Sequence, residues 1–136
     1  MPTLYLIAIS IIGWGVGAIF YKIANNTIHP IMVSSIVTAT FVMLTPIAFL
    51  TMNVDKSITT IGVLATITGG ILMGIGSIAY YFALGKGDAG VITTTTALYP
   101  VLTLIISCSF LGEEMTIRKG IGIALACVSF YFLSWK

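Results

Sequence analysis

Residues 58–84 read ITTIGVLATITGGILMGIGSIAYYFAL and contain no charged side chain. A helix needs about 20 mostly apolar residues to cross the hydrocarbon core of a bilayer. Lipid offers no hydrogen-bond partners to backbone amides and carbonyls, so a spanning segment must satisfy them internally, as an α-helix does. The run is too long and too continuous for the alternating strands of a β-barrel. This stretch therefore predicts one transmembrane helix.

Four further segments share this character: 3–24, 30–52, 89–111 and 117–135. The residues between the segments are few, and several favour turns or helix ends, namely Pro30, Asn53, Asp55, Asp88, Gly112 and Thr116. The sequence thus predicts a single domain over residues 1–136. Its fold class is all-α, an integral membrane helical bundle of about five transmembrane helices joined by tight turns.

The composition excludes several classes of protein. Hydrophobic residues make up 58% of the chain and charged residues 7%, whereas soluble domains carry about 25% charged residues. The net charge of +2 is too small and too scattered for a nucleic-acid surface. Cys108 and Cys127 lie in apolar runs without histidine neighbours, so free thiols are expected and no metal site. No catalytic set or phosphate-binding loop is evident, which predicts a protein that is not an enzyme and has no cofactor.

Basic residues do not fix the orientation. Five spans would place Lys56, Arg118 and Lys119 on one side of the membrane and Lys22, Lys86 and Lys136 on the other. Cytoplasmic loops normally carry the excess of lysine and arginine, and here the two sides are equal. Two alternatives follow. Either another signal selects one orientation, or copies insert both ways and pair as antiparallel dimers.

The most informative stretch covers residues 79–122, AYYFALGKGDAGVITTTTALYPVLTLIISCSFLGEEMTIRKGIG. It has an aromatic run at Tyr80, a glycine-lysine turn after Leu84, a small and polar helix leading to Pro100, and an exit at Glu113. The first span adds the Trp14-Gly15 pair and, after it, Lys22. Taken together, these features make the sequence resemble the EamA-type half-unit of the drug/metabolite transporter superfamily. The second span departs from that pattern, because it carries Thr38 where the family often has an arginine.

This resemblance implies an architecture and a function. Relatives with two such units form ten-helix transporters with inverted repeats, and their substrate site lies at the repeat interface near the bilayer midplane. A chain with one unit would take the other from a second copy, as an antiparallel homodimer surrounded by membrane lipid. The resemblance therefore implies a small-molecule transporter that works by alternating access in a prokaryotic cytoplasmic (inner) membrane. The alternative is an assembly or regulatory subunit that does not transport.

The fourth span supplies polar candidates for the substrate site. Thr96, Tyr99 and Thr103 are spaced to share one helical face. Pro100 has no amide hydrogen, so the helix can kink beside the carbonyl of Thr96. Two interpretations are open: these side chains line a cavity, or the threonine hydroxyls bond back to their own helix.

Other candidates lie in the first three spans. Trp14 falls in mid-span, where a large ring with an N–H donor is expected to face protein or a cavity. Ser77 and Tyr81 share a face, and Tyr80 and Tyr81 are either pocket residues or interface anchors. The substrate-binding set predicted from the sequence is Trp14, Thr38, Ser77, Tyr80, Tyr81, Thr96, Tyr99, Pro100 and Thr103. Tyr131 and Trp135 are predicted interface anchors.

Charged residues lie at span ends and none lies in mid-span. Lys22 is expected to extend to the membrane interface, and the alternative is that it attracts anionic substrates. Glu113 is either a coupling group or a headgroup-level residue paired with Arg118 or Lys119. Small residues at Gly70 and Gly74 allow close helix crossing, and a similar stretch from Gly120 to Ala126 favours either intrachain packing or a dimer contact.

Overall fold

Six helices make up the described part of the chain, residues 2–52 and 57–134 of a computed structural model: α1 (Pro2–Asn25), α2 (Pro30–Thr51), α3 (Thr60–Lys86), α4 (Ala89–Thr96), α5 (Tyr99–Phe110) and α6 (Ile117–Ser134). These residues include no β-strand, and the all-α prediction is confirmed. The predicted turn at Asn53 and Asp55, the basic residues Lys56 and Lys136 and the predicted anchor Trp135 lie outside the described residues.

Four segments of the described chain are long and apolar enough to cross a membrane: Thr3–Asn25, Pro30–Thr51, Thr60–Lys86 and Ala89–Phe110. They correspond to the first four spans expected from the sequence. The fifth expected span, 117–135, coincides with α6, which carries the basic pair Arg118 and Lys119 in its first turn. That span stays a prediction.

The helix ends follow from local sequence. α2 starts at Pro30, and the Nδ1 atom of His29 accepts a hydrogen bond of 3.3 Å from the amide of Ile31. Thr116 caps α6 by accepting a bond of 3.3 Å from the amide of Lys119. Asp88 stands at the N-cap position of α4 but makes no capping bond with its side chain. The starts of α2, α4 and α6 therefore lie where a proline or a residue that favours the N-cap position predicts them.

The fourth span is broken in two. α4 ends at Thr96 and α5 begins at Tyr99, with Pro100 in its first turn. The amide of Leu98 bonds to the carbonyl of Thr95 at 3.2 Å, three residues back, which is a tighter turn than an α-helix makes. Because Pro100 has no amide hydrogen to offer the carbonyl of Thr96, the regular ladder stops here. The predicted kink is therefore a helix break.

The chain forms two compact units, one up to Lys86 and the other from Gly87 onward. In the first unit α1, α2 and α3 all contact one another. The buried side chains among its described residues are Ala18, Val33, Tyr81 and Leu84. They come from the last turns of α1 and α3 and the first turns of α2, so the tightly packed core lies at one end of the three-helix bundle.

The second unit contains α4, α5 and α6, and α4 contacts α6. Ser107 of α5 is buried and its carbonyl accepts hydrogen bonds from the amides of Leu111 and Glu113, at 2.9 and 3.4 Å. Gly112 adopts the left-handed conformation with φ of 71°. This is the usual way for a helix to end at a glycine just beyond its last turn.

Candidate functional site

The packed end of the first unit brings three helices and several polar side chains together. Lys22 of α1 donates a hydrogen bond of 2.9 Å through Nζ to the carbonyl oxygen of Leu84 on α3. The rings of Tyr21 and Tyr81 meet edge to face with centroids 5.4 Å apart, and the rings of Tyr80 and Tyr81 lie 5.7 Å apart. We call Tyr21, Tyr80 and Tyr81 the tyrosine cluster. It joins α1 to α3 and lies at the same end of these helices as the bond from Lys22 to Leu84.

Asn25 adds an unusual acceptor to this end. Its Nδ2 atom donates a bond of 3.0 Å to the carbonyl of Tyr21, which fixes the orientation of the side-chain amide. Its Oδ1 atom is buried and has no hydrogen-bond partner among the described residues. A buried acceptor of this kind is costly unless a donor reaches it. The α1 end is therefore suited to receive a donor group.

An open cleft, here called the α2–α3 cleft, runs along α2 in the first unit and is bordered by one residue of α3, Ile78. It has a volume of about 540 Å³, within the range of about 300–1,000 Å³ that ligand sites occupy. The hydroxyl groups of Ser34, Ser35 and Thr38 line the part of the cleft that lies towards the start of α2. Ala39, Val42 and Met43 continue the same wall with apolar groups. The cleft thus has a polar section and an apolar section along a single helix.

Two of the three hydroxyls of this cleft, those of Ser35 and Thr38, are oriented by their own helix. Ser35 donates to the carbonyl of Ile31 and Thr38 donates to the carbonyl of Ser34, both at 2.9 Å. Each hydroxyl hydrogen is thereby used, while lone pairs remain on each oxygen. The two side chains therefore present acceptors to the cleft.

The candidates of the first unit are placed separately. Thr38 lies in the α2–α3 cleft, and Tyr80 and Tyr81 belong to the tyrosine cluster. Tyr81 is buried, whereas Tyr80 and Ser77 are half-buried. Trp14 is 70% exposed in the chain and precedes Ala18, the buried α1 residue of the packed end, by about one helical turn. Its large apolar ring is thus left for lipid or for another copy of the protein to cover.

The candidates of the second unit surround the α4–α5 break. Thr96 donates to the carbonyl of Ile92 at 2.7 Å, and Thr103 donates to that of Tyr99 at 3.1 Å. Of the two interpretations of these threonines, back-bonding to their own helix is present in the structure. It uses the hydroxyl hydrogens and leaves lone pairs, so lining a cavity remains compatible with it. Tyr99 is 53% exposed and Pro100 is exposed beside it.

Glu113 lies between α5 and α6, outside the spanning segments, and forms an ion pair with Lys119. The distance from Lys119 Nζ to Glu113 Oε2 is 3.1 Å. The hydrogen bond from Lys119, its positive charge and a contact with Ser107 hold the pKa of the Glu113 carboxyl below its ordinary value. Of the two interpretations of Glu113, pairing with Lys119 is the one that the structure contains.

Several polar residues of this region escaped the sequence analysis. Lys22 was not paired with Leu84, and Tyr21, Asn25, Ser34 and Ser35 were not singled out. The serines carried a usable signal, because positions 34, 35 and 38 share one helical face. Within residues 2–52 and 57–134 there is no group of three or more histidine, cysteine, aspartate or glutamate residues that could hold a metal ion.

Comparison with known proteins relates the whole chain to one family. The profile of the EamA-like transporter family matches residues 1–135. An uncharacterized protein of the archaeon Methanocaldococcus jannaschii is 29% identical over 124 residues, which cover 89% of this chain and 88% of that protein. No solved structure matches the chain.

Proposed function

This chain belongs to the EamA-like transporter family, and we propose that it carries small, mostly neutral or zwitterionic organic solutes by alternating access as a homodimer. Membership makes it a multi-pass membrane transporter of the drug/metabolite superfamily. The match over residues 1–135 is the observation that carries the proposal. We place the protein in a prokaryotic cytoplasmic membrane.

We propose a second copy because a single chain leaves many of its small and apolar helix faces uncovered. Gly70 and Gly74 on α3 have open space where a β-carbon would stand, as do Gly120 and Gly122 on α6. Small residues let helices approach closely in lipid, where packing rather than hydrophobicity drives association. A second copy in the inverted orientation would supply the other repeat of the transporter architecture.

The proposed solute path uses rings and hydroxyls. Trp14 and Tyr99 are large aromatic side chains that the chain itself leaves exposed. Thr38, Thr96 and Thr103 present oxygen lone pairs, since their hydroxyl hydrogens are bonded within their helices. No acidic residue lies in any of the helices α1 to α6. These groups suit solutes of low net charge, because an unpaired ion in hydrocarbon is expensive.

The proposal can be tested by flux measurements in proteoliposomes. Purified protein should accelerate uptake of at least one class of neutral or zwitterionic solute over empty liposomes. A double variant, Trp14→Ala with Tyr99→Ala, should lose most of that flux. The matched control is Tyr5→Ala with Phe132→Ala, which removes two aromatic side chains that are also exposed and are outside the proposed path. Full flux in the first double variant would overturn the site assignment.

The alternative, a subunit that does not transport, predicts a different outcome of the flux measurement. Absence of flux for every solute class, together with loss of a partner complex when the protein is deleted, would contradict transport by this chain. It would favour a subunit that assembles or regulates another membrane protein.

A further inference from the structure

The α2–α3 cleft has a direction relative to the membrane. One end of it lies at Ile31, one residue after Pro30 begins α2, at the same end of the bundle as Lys22 and His29. These polar residues belong at the headgroup level. From Ile31 to Met43 the helix rises about 18 Å, at about 1.5 Å per residue. Since the hydrocarbon core is about 30 Å thick, the cleft extends over roughly one leaflet.

Polarity along the cleft changes in the same direction as polarity across a leaflet. Hydroxyls come first, at Ser34, Ser35 and Thr38, and the deeper wall is formed by Ala39, Val42 and Met43. Ile78 of α3 also lines the cleft. A molecule with a polar head and a hydrocarbon tail would match both sections if its head lay towards the headgroups. A wholly polar solute would leave its groups unpaired against the apolar wall.

The hydrogen bonds restrict the head group further. The hydroxyls of Ser35 and Thr38 already donate to backbone carbonyls, so towards the cleft they act as acceptors. A head group that donates hydrogen bonds is complementary to them, and one that only accepts is not. No charged side chain lines the cleft, so an ionised head would be desolvated without a counter-charge.

We propose that the α2–α3 cleft binds an uncharged amphiphile, a single hydrocarbon tail with a hydroxyl or amide head that donates to Ser35 and Thr38. Calling this amphiphile a transported substrate rests on the proposed function; the binding itself does not. The site would take its ligand from the leaflet, because its hydroxyl-lined end lies beside Lys22 and His29 and its apolar end lies further along α2.

Photolabelling of the full chain in lipid nanodiscs tests the site. A long-chain alcohol with a diazirine on its tail is activated by light, and the labelled peptides are mapped by mass spectrometry. Adducts should concentrate on residues 39–43 and around Ile78. An even spread of adducts over the exposed helix faces, or none in these two segments, would overturn the proposal, the second result indicating that another copy covers the cleft.

Competition tests the chemistry. Protection by 1-decanol should be strong, whereas decyl methyl ether, which has no donor, and decanoate, which is ionised, should protect poorly. The variant Thr38→Val should weaken protection by 1-decanol about three- to tenfold, the loss expected for one hydrogen bond. Thr40→Val is the matched control, because Thr40 makes the same back-bond to Ile36 but does not line the cleft. Equal protection by all three competitors would contradict the donor requirement.

A filling variant separates binding from transport. Ala39→Phe should abolish labelling of the cleft, and Ala65→Phe, on an exposed part of α3, should leave it unchanged. Flux is then measured in the same variants. Labelling of the cleft without flux in the wild-type protein would contradict the transport function and leave the binding site standing. Flux in a protein whose cleft is never labelled would contradict the site and leave transport standing.

Discussion

The ammonium group of Lys22 on α1 donates a hydrogen bond of 2.9 Å to the backbone carbonyl oxygen of Leu84 on α3. Leu84 lies in the last turn of its helix, where carbonyls have no amide four residues ahead within the helix. A cation at this position also opposes the partial negative charge of the helix end. The bond therefore links two helices that are far apart in sequence and accounts for the place of Lys22 without an anionic substrate.

Replacing Lys22 should weaken the first unit. The variant Lys22→Met keeps much of the aliphatic chain and removes the donor, which we expect to lower the free energy of unfolding by about 1.5–3 kcal/mol, the range for a bond to a charged group. Lys86→Met is the matched control, because Lys86 is an exposed lysine at the end of the same helix bundle. Denaturant titration in mixed micelles measures both, and equal stability of the two variants would contradict the role of Lys22.

The tyrosine cluster should depend on the ring of Tyr81. This side chain is 6% exposed and packs edge to face on Tyr21, so Tyr81→Ala should cost about 3–5 kcal/mol, as truncating other buried rings does. Tyr81→Phe keeps the ring and should lose much less. Thermal unfolding in detergent, with Tyr5→Ala as the exposed-ring control, provides the measurement. A mild effect of Tyr81→Ala would mean that the edge contact contributes little.

The break between α4 and α5 should close when Pro100 is replaced. Pro100→Ala supplies an amide hydrogen for the carbonyl of Thr96, so a continuous helix should form and flux should fall if the break bends during transport. Pro46→Ala is the control, because Pro46 lies inside α2 without dividing it. Spin-label distances between positions 91 and 106 would report the change in shape. Unaltered distances in Pro100→Ala would show that proline does not cause the break.

The Glu113–Lys119 pair gives a prediction about pH. The pKa of Glu113 is lowered in the folded protein, so the pair contributes stability above the ordinary carboxyl pKa and loses it as pH falls through the lowered value. Lys119→Met should raise the pKa of Glu113 towards that of a free glutamate, whereas Arg118→Met should leave it unchanged. Carbon-13 NMR of the Glu113 carboxyl in micelles follows both, and identical titrations in the two variants would contradict the assigned partner.

Antiparallel pairing predicts labelling from both sides of the membrane. In a background without Cys108 and Cys127, Glu114→Cys, in the connection between α5 and α6, should react with an impermeant thiol reagent in both inside-out and right-side-out vesicles. Roughly equal labelling is expected if copies insert both ways. Labelling from a single side would contradict dual topology and leave a parallel or single-copy arrangement.

Much of this fold is predictable from sequence because its cause is local. The length of each apolar run fixes the helices, and Pro30, Thr116 and Gly112 mark their ends through backbone chemistry alone. Pro100 likewise predicted a distortion, although the full break at residues 97–98 needed the structure. The bond from Lys22 to Leu84 was not predictable in this way, because it depends on which helices become neighbours, and periodicity does not specify neighbours.

The candidate site shows the same division. Thr38 was singled out as one polar residue of the second span, whereas Ser34 and Ser35 gained importance only when they were found to line the same cleft as Ile78 of α3. Trp14 and Tyr99 were chosen for their size and chemistry, and both are exposed in the chain. What covers an exposed side chain in a bilayer depends on molecules beyond the chain, and a single sequence does not encode that directly.

The crowding of Ala18, Val33, Tyr81 and Leu84 at one end of the first unit has a consequence for evolution. Selection should remove substitutions that change side-chain volume at these four positions. Elsewhere on the same helices, substitutions should be tolerated as long as the new side chain is hydrophobic. A deep mutational scan would then find the intolerant positions of α1, α2 and α3 together at this end. The other positions of these helices could change during evolution and give rise to new substrate specificities.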